Sequence, residues 1–265
     1  MGGELRDKVA SGVAWNMAEK AGSMLLQAVV SLVVLRLLMP EDLGVMAIPT
    51  VFSALALVVV DSGFSQTLIR KDAPTQGDYK SVFLFNIVVS LLLYVLLVAL
   101  APVAARFYDM PVLTRIAPVL FLLLPLNALC VIQNTIFTRQ FRFALISKVV
   151  FISTLAGGLV AVAMALAGCG VWSLVGQRVT AMGTKAALFW ALSDWRPRAL
   201  YDGGALRRMA PYSTRLLATD LIASVYNNIS QLFVGRMYSA DTLAYFNQAQ
   251  KLKELPVTCL LYTSD

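Results

Sequence analysis

The chain has 265 residues, 58% hydrophobic and 14% charged, with a mean hydropathy of +0.73 and a net charge of +7. A water-soluble domain carries roughly 25% charged residues, so this composition excludes a soluble surface and sends most of the chain against lipid or other apolar helices. A basic balance can also serve nucleic acid, but that needs basic patches on a soluble fold; here the 22 Lys and Arg sit between apolar stretches, and no nucleic-acid partner is expected.

A membrane helix needs about 20 mostly apolar residues. Seven stretches supply them: 14–38, 44–67, 81–104, 114–137, 146–168, 171–193 and 212–235. They are too long for barrel strands and lack a period of two, so the expected fold is all-α, a polytopic transmembrane bundle. The first span is no signal peptide, because it carries Glu19 and Lys20 and no small-residue cleavage site follows. Its Asn16, Lys20, Ser23, Gln27 and Ser31 recur at helical spacing and form one polar stripe. A turn with Pro40, Glu41 and Asp42 leads to the second span, which nears its end at Asp61-Ser62-Gly63. The fourth span closes on Gln133, Asn134 and Arg139, with Arg139 expected to reach the headgroups. Only Ala167–Gly170 separates the fifth span from the sixth, which holds Arg178. The longer stretch Ser193–Tyr212, with Pro197, Gly203 and Gly204, reads as a connector between two bundles. The seventh span has a second stripe: Ser213, Asp220, Ser224, Asn227 and Gln231, with Arg215 nearby. An eighth apolar stretch starts around Pro256 and is not completed by residue 265, which reads as a truncation. The expected organisation is a six-helix lobe over 1–193, a connector over 194–211, and the start of a second lobe over 212–265.

Lysine and arginine near the span ends set the orientation. One side has Arg6, Lys8, Arg70, Lys71, Lys80, Arg139, Arg142, Lys148, Arg196, Arg198, Arg207 and Arg208; the other, up to the seventh span, has Arg36, Arg106 and Arg115. The N-terminus and the connector are therefore expected in the cytoplasm. Trp15, Trp172, Trp190 and Trp195 fall near span ends, where an amphipathic ring suits the headgroup layer.

Transporters are often built from repeats. At an offset of 200, Leu32-Val33-Val34-Leu35-Arg36 meets Leu232-Phe233-Val234-Gly235-Arg236, Glu41 meets Asp241, and Lys20 meets Asp220. On this reading the two polar stripes face each other across a water-filled cleft. The alternative is that each stripe packs inside its own bundle through interhelical hydrogen bonds. Charge in the membrane usually faces a cavity or a partner, which favours the cleft for Lys20, Arg215 and Asp220. Asp61 is a candidate for a coupling cation or proton, with pairing to Arg70 or Lys71 as the structural alternative. Arg178 suits a phosphate from the cleft, because its planar fork donates two parallel hydrogen bonds; an internal ion pair is the alternative. Cys130, Cys169 and Cys259 have no metal spacing, histidine is absent, and no catalytic constellation stands out. No enzyme activity and no cofactor are expected.

The segments 11–16 (Ser-Gly-Val-Ala-Trp-Asn), 35–44 (Leu-Arg-Leu-Leu-Met-Pro-Glu-Asp-Leu-Gly) and 60–71 (Val-Asp-Ser-Gly-Phe-Ser-Gln-Thr-Leu-Ile-Arg-Lys) carry a family resemblance. So do 170–177 (Gly-Val-Trp-Ser-Leu-Val-Gly-Gln), Trp195-Arg196-Pro197-Arg198, Tyr226-Asn227-Asn228 and 248–256 (Gln-Ala-Gln-Lys-Leu-Lys-Glu-Leu-Pro). From Ser11 to Pro256 the chain resembles Wzx-type polysaccharide flippases of the MOP superfamily, in particular the branch exporting colanic acid-like polysaccharides. The resemblance implies a MATE-like fold of two six-helix lobes, with the first and seventh helices lining the cleft. It also implies an undecaprenyl-pyrophosphate-linked oligosaccharide as substrate, moved from the cytoplasmic to the periplasmic leaflet of the bacterial inner membrane, with polymerase and export machinery as further partners. A MATE-like small-solute or multidrug antiporter is the rival within the fold, and Lys20, Arg178 and Arg215 weigh for the anionic headgroup. A membrane glycosyltransferase or polymerase would need larger outer loops, and a scaffold would tolerate charge swaps at Lys20 and Asp220.

Overall fold

The computed structural model describes residues 22, 26–27, 29–34, 36–197, 202–238 and 242–250, and among them all regular structure is helical. Helical residues at 29–34 and 36–37 precede α1 (Pro40–Asp61), α2 (Phe64–Arg70), α3 (Gln76–Phe107), α4 (Leu113–Leu120), α5 (Leu123–Arg139), α6 (Phe143–Leu166), α7 (Trp172–Leu192) and α8 (Gly203–Met237); residues 242–250 are helical again. Four helical stretches, Glu41–Asp61, Gln76–Phe107, Leu113–Arg139 and Phe143–Leu166, are long and apolar enough to cross a membrane. α7 and α8 have the length, 21 and 35 residues, but carry Arg178 and Lys185, and Arg215 and Asp220.

Local chemistry explains the boundaries. Pro40 opens α1, where its missing N–H costs nothing, and Glu41 and Asp42 face the positive end of the helix dipole. The second span was expected to run unbroken over 44–67. It breaks instead at Ser62 and Gly63, both with positive φ (48° and 69°), so that α1 ends and α2 sets off at an elbow. The fourth span also divides, at Phe121 and Leu122, because Pro125 has no N–H to return to the Phe121 carbonyl. α3 starts in a capping box: Thr75 Oγ1 accepts from the Asp78 N–H (3.2 Å), and the Asp78 carboxylate accepts from the Thr75 N–H (2.7 Å). α8 begins nine residues before the expected seventh span, where Asp202 accepts from the Gly204 N–H at 2.9 Å.

On two spans polar and small residues face inward while large apolar ones face outward. On α3 the buried face holds Ser81, Asn86 and Ser90, and the outward face holds Leu84, Val88, Leu91, Leu92, Val95, Leu96 and Val103. α6 repeats this, with Ser147, Ser153, Gly157 and Gly158 inward and Phe151, Ile152, Leu155 and Leu159 outward. A leucine and valine exterior around hydroxyls and amides suits hydrocarbon, not water. The small inward residues let helices close on one another. A methyl group at Gly157 would come within 2.6 Å of the Gln177 carbonyl oxygen, and one at Gly176 within 2.5 Å of Met164 Sδ, so α6 and α7 pack backbone to backbone.

The end of the bundle that carries most of the cations is knitted most tightly. Phe64, Leu68, Tyr79, Phe83, Ile132, Trp195 and Met209 bring α2, α3, α5, the connector and α8 into one cluster. Trp195 Nε1 donates to Gln76 Oε1 (2.9 Å) and Trp190 Nε1 to the Leu129 carbonyl (3.0 Å). Arg139 was expected to snorkel outward. It turns inward, donating to the carbonyls of Leu68 (2.7 Å), Ile69 (2.7 Å), Lys71 (2.6 Å) and Asp72 (3.2 Å), and so it satisfies the open C-terminal end of α2. Replacing Arg139 with alanine strands those carbonyls and is expected to cost about 2–3 kcal/mol, read as a lower melting temperature in detergent. Arg139→Lys should not restore it, since one ammonium cannot reach four carbonyls spread over five residues.

Candidate functional site

α1 and α8 run antiparallel along a seam whose register is fixed at both ends. Near one end Gly235 lies against Ile48, where a methyl group would come within 2.5 Å of Ile48 Cδ1. At the other, Gly63 sits where a Cβ would approach Leu216 Cβ to 2.8 Å and the Ser213 carbonyl to 3.0 Å. With φ of +69° as well, Gly63 is required twice over, for the turn and for the close approach. Thr67 and Ser213 share a hydrogen bond of 2.8 Å between their hydroxyls, and the Arg70 guanidinium donates to Tyr212 Oη while lying 5.5 Å from the centre of its ring. The elbow after α1 is thereby clamped to α8.

The same register places Asp61 opposite Asp220. Asp61 accepts from Ser65 Oγ at 2.5 Å. Pairing of Asp61 with Arg70 or Lys71 was the structural alternative, and the structure overturns it: Lys71 is bound to Asp78 at 2.6 Å and Arg70 to Tyr212. Among the described residues the ion pairs are Lys71–Asp78 and Arg208–Asp202, and neither Asp61 nor Asp220 takes part in one. A carboxylate without an ionic partner in a poorly solvated seam favours a proton or a bound cation.

The other residues singled out from the sequence separate into groups. Asn16, Lys20 and Ser23 lie outside the described residues, and Gln27 is exposed. On α8, Arg215 and Asn227 are exposed, and among the described residues neither side chain has a hydrogen-bond partner. Gln231 is half-buried and donates from Nε2 to Gln250 Oε1 at 3.0 Å. Ser213 is buried and spent on Thr67. α8 thus differs from α3 and α6, because its outward face mixes Arg215, Thr219, Asn227 and Ser230 with Ile222, Tyr226 and Phe233. Arg178 stands apart from this seam, on α7, half-buried and with no ion pair among the described residues. Lys185, which sequence reasoning passed over, follows it by seven residues on the same helix face and lies 5.6 Å from the Phe189 ring centre. Also missed were Asn86 and Gln133 as fully buried amides without partners, and Ser65, Thr67 and Tyr212 as the groups that hold the seam. The amides were visible as polar interruptions of apolar spans; the seam residues became meaningful only once Gly63 had turned the chain.

The sequence model of a family described as "Polysaccharide biosynthesis protein" matches residues 33–263. The chain is similar to the teichuronic acid biosynthesis protein TuaB of Bacillus subtilis (strain 168), with 27% identity over 208 residues, 76% of this chain and 42% of that protein. It is also similar to the succinoglycan biosynthesis transport protein ExoT of Rhizobium meliloti (strain 1021), with 21% identity over 248 residues, 94% of this chain and 50% of that protein. The chain therefore spans about half the length of the curated relatives it matches. No solved structure matches it.

Proposed function

From a chain that belongs to this polysaccharide biosynthesis protein family and forms a multi-pass membrane bundle, we propose that the protein carries undecaprenyl-pyrophosphate-linked oligosaccharides from the cytoplasmic to the periplasmic leaflet of a bacterial inner membrane. The basic end of the bundle, with Arg70, Lys71, Arg139, Arg142 and Arg196, is then cytoplasmic. The observation that carries the reading is the outward face of α8. Where the mid-span outward faces of α3 and α6 offer lipid apolar side chains, α8 offers Arg215 and Asn227 with no side-chain partner among the described residues. A cation and an amide at membrane depth suit an anionic, hydroxyl-rich headgroup in a hydrated cleft while the lipid tail stays in hydrocarbon. Arg178 supplies a further guanidinium for pyrophosphate.

A repeat supports alternating access. The helix before α1 ends at residue 37 and a new one starts at 40; α8 ends at Met237 and helix resumes by 242. The two breaks lie 200 residues apart, the offset at which the sequence echoes itself. The span that ends at 38 and α8 are then equivalent helices of two lobes, and Asp61 with Asp220 is the site where a proton or cation couples to their movement.

Deleting the gene and measuring which leaflet holds the pyrophosphate-linked units tests the proposal. Units should accumulate on the cytoplasmic face, wild type should clear them, and Arg215→Gln should clear them at least about tenfold more slowly, the loss expected when one charge-assisted contact disappears. An unchanged distribution on deletion would contradict the flippase reading and favour a small-solute antiporter on the same fold.

A further inference from the structure

A cavity of about 550 Å³ opens at the basic end of the bundle, lined by three segments distant in sequence. Pro74, Gln76 and Tyr79 come from the entry to α3, Ile136, Phe137, Arg139, Gln140 and Arg142 from the end of α5 and the turn beyond it, and Ser193, Asp194 and Trp195 from the connector after α7. No lining residue belongs to α1, α2 or α8, so the cavity is separate from the seam described above.

Its chemistry is that of a headgroup site. Gln76 Oε1 is taken by the Trp195 indole, which leaves the Gln76 amide N–H groups as donors. Arg142 is exposed, sits 6.0 Å from the centre of the Phe137 ring, and has no ion pair among the described residues. Arg139 adds a second positive charge; its fork is held by α2 carbonyls, which does not neutralise it. Asp194, exposed at the rim, is the one acid in the lining, and the two arginines outweigh it. Beside the cavity Phe141 projects outward, 75% exposed, on a backbone with φ of 55°. An exposed phenylalanine next to arginine, at the end of membrane-length helices, places the cavity mouth at the boundary between headgroups and acyl chains. Basic pockets between transmembrane helices near such a boundary recognise anionic lipid headgroups.

We propose that this cavity is a site for the phosphate headgroup of an anionic phospholipid from the adjacent leaflet, with Arg142 as the principal contact and the Gln76 and Gln140 amides as further donors. A lipid seated there bridges the α5–α6 turn to the connector that leads into α8. The proposal rests on the membrane placement of the bundle and is independent of what the protein transports.

The purified, delipidated full chain is titrated with phosphatidylglycerol and with phosphatidylcholine, and bound lipid is counted by native mass spectrometry. Phosphatidylglycerol should bind the wild type more tightly than phosphatidylcholine. Arg142→Gln should weaken phosphatidylglycerol roughly tenfold while leaving phosphatidylcholine unchanged, and Arg142→Lys should retain most of the preference. Arg142 is exposed, so an unchanged melting temperature verifies that the variants fold. Equal binding of the two lipids, or an Arg142→Gln variant that binds like wild type, overturns the proposal. Displacement of phosphatidylglycerol by millimolar inorganic phosphate would assign the cavity to a soluble phosphate and overturn the lipid assignment.

Discussion

In hydrocarbon no water competes for a polar group, so each hydroxyl, amide and carbonyl must find its partner inside the protein or border a hydrated space. The architecture follows from that constraint. Serines and threonines on the spans bond their own helices one turn back, as Ser53 does to the Pro49 carbonyl, Ser153 to Val149 and Thr135 to Val131. The inward faces also use small residues and glycines to bring backbones together, and dispersion over close contacts replaces the hydrophobic driving force that lipid cannot supply. Bulky apolar residues fill the remaining interior clusters and also cover the exterior.

Where the bundle departs from this rule it becomes informative. Arg139 is a charge at the membrane boundary, but it is consumed by four carbonyls that α2 leaves open. Asp78, fully buried, is consumed by Lys71 and the Thr75 cap. These charges are structural. Asp61, Asp220, Arg215 and Arg178 have no ionic partner among the described residues, and three of the four lie along or beside the α1–α8 seam. With these charges given partners by the fold, the unpartnered ones are candidates for a ligand.

Much of this was legible in the sequence, and the exceptions have physical causes. Length and hydropathy locate apolar helices because the bilayer imposes a thickness, so α3 and α6 appear nearly where composition puts them. The elbow at Ser62-Gly63 escaped because a span boundary drawn on mean hydropathy passes over two positive-φ residues when Phe64, Leu68 and Ile69 follow them. Leu122 carries no break signal of its own; the interruption comes from Pro125, three residues on. Arg139 was misread because, in one dimension, a cation at the end of a span looks the same whether it faces headgroups or a neighbouring helix end. The polar stripe of α8 was recognised, but its division into a spent member, Ser213, and an unspent one, Asn227, needed the packing partner. Lys20, its proposed counterpart across the cleft, lies outside the described residues.

The central claim is that the outward face of α8 borders water at membrane depth while the outward face of α3 borders lipid. Single cysteines at Arg215, Asn227 and Leu92, in a background with Cys130, Cys169 and Cys259 changed to serine, test this with a membrane-impermeant maleimide, which needs water and a thiolate to react. The account predicts that Arg215→Cys and Asn227→Cys label rapidly and that Leu92→Cys does not. If the two α8 positions are as unreactive as Leu92→Cys, that face lies in lipid or packed protein, and the hydrated cleft is contradicted.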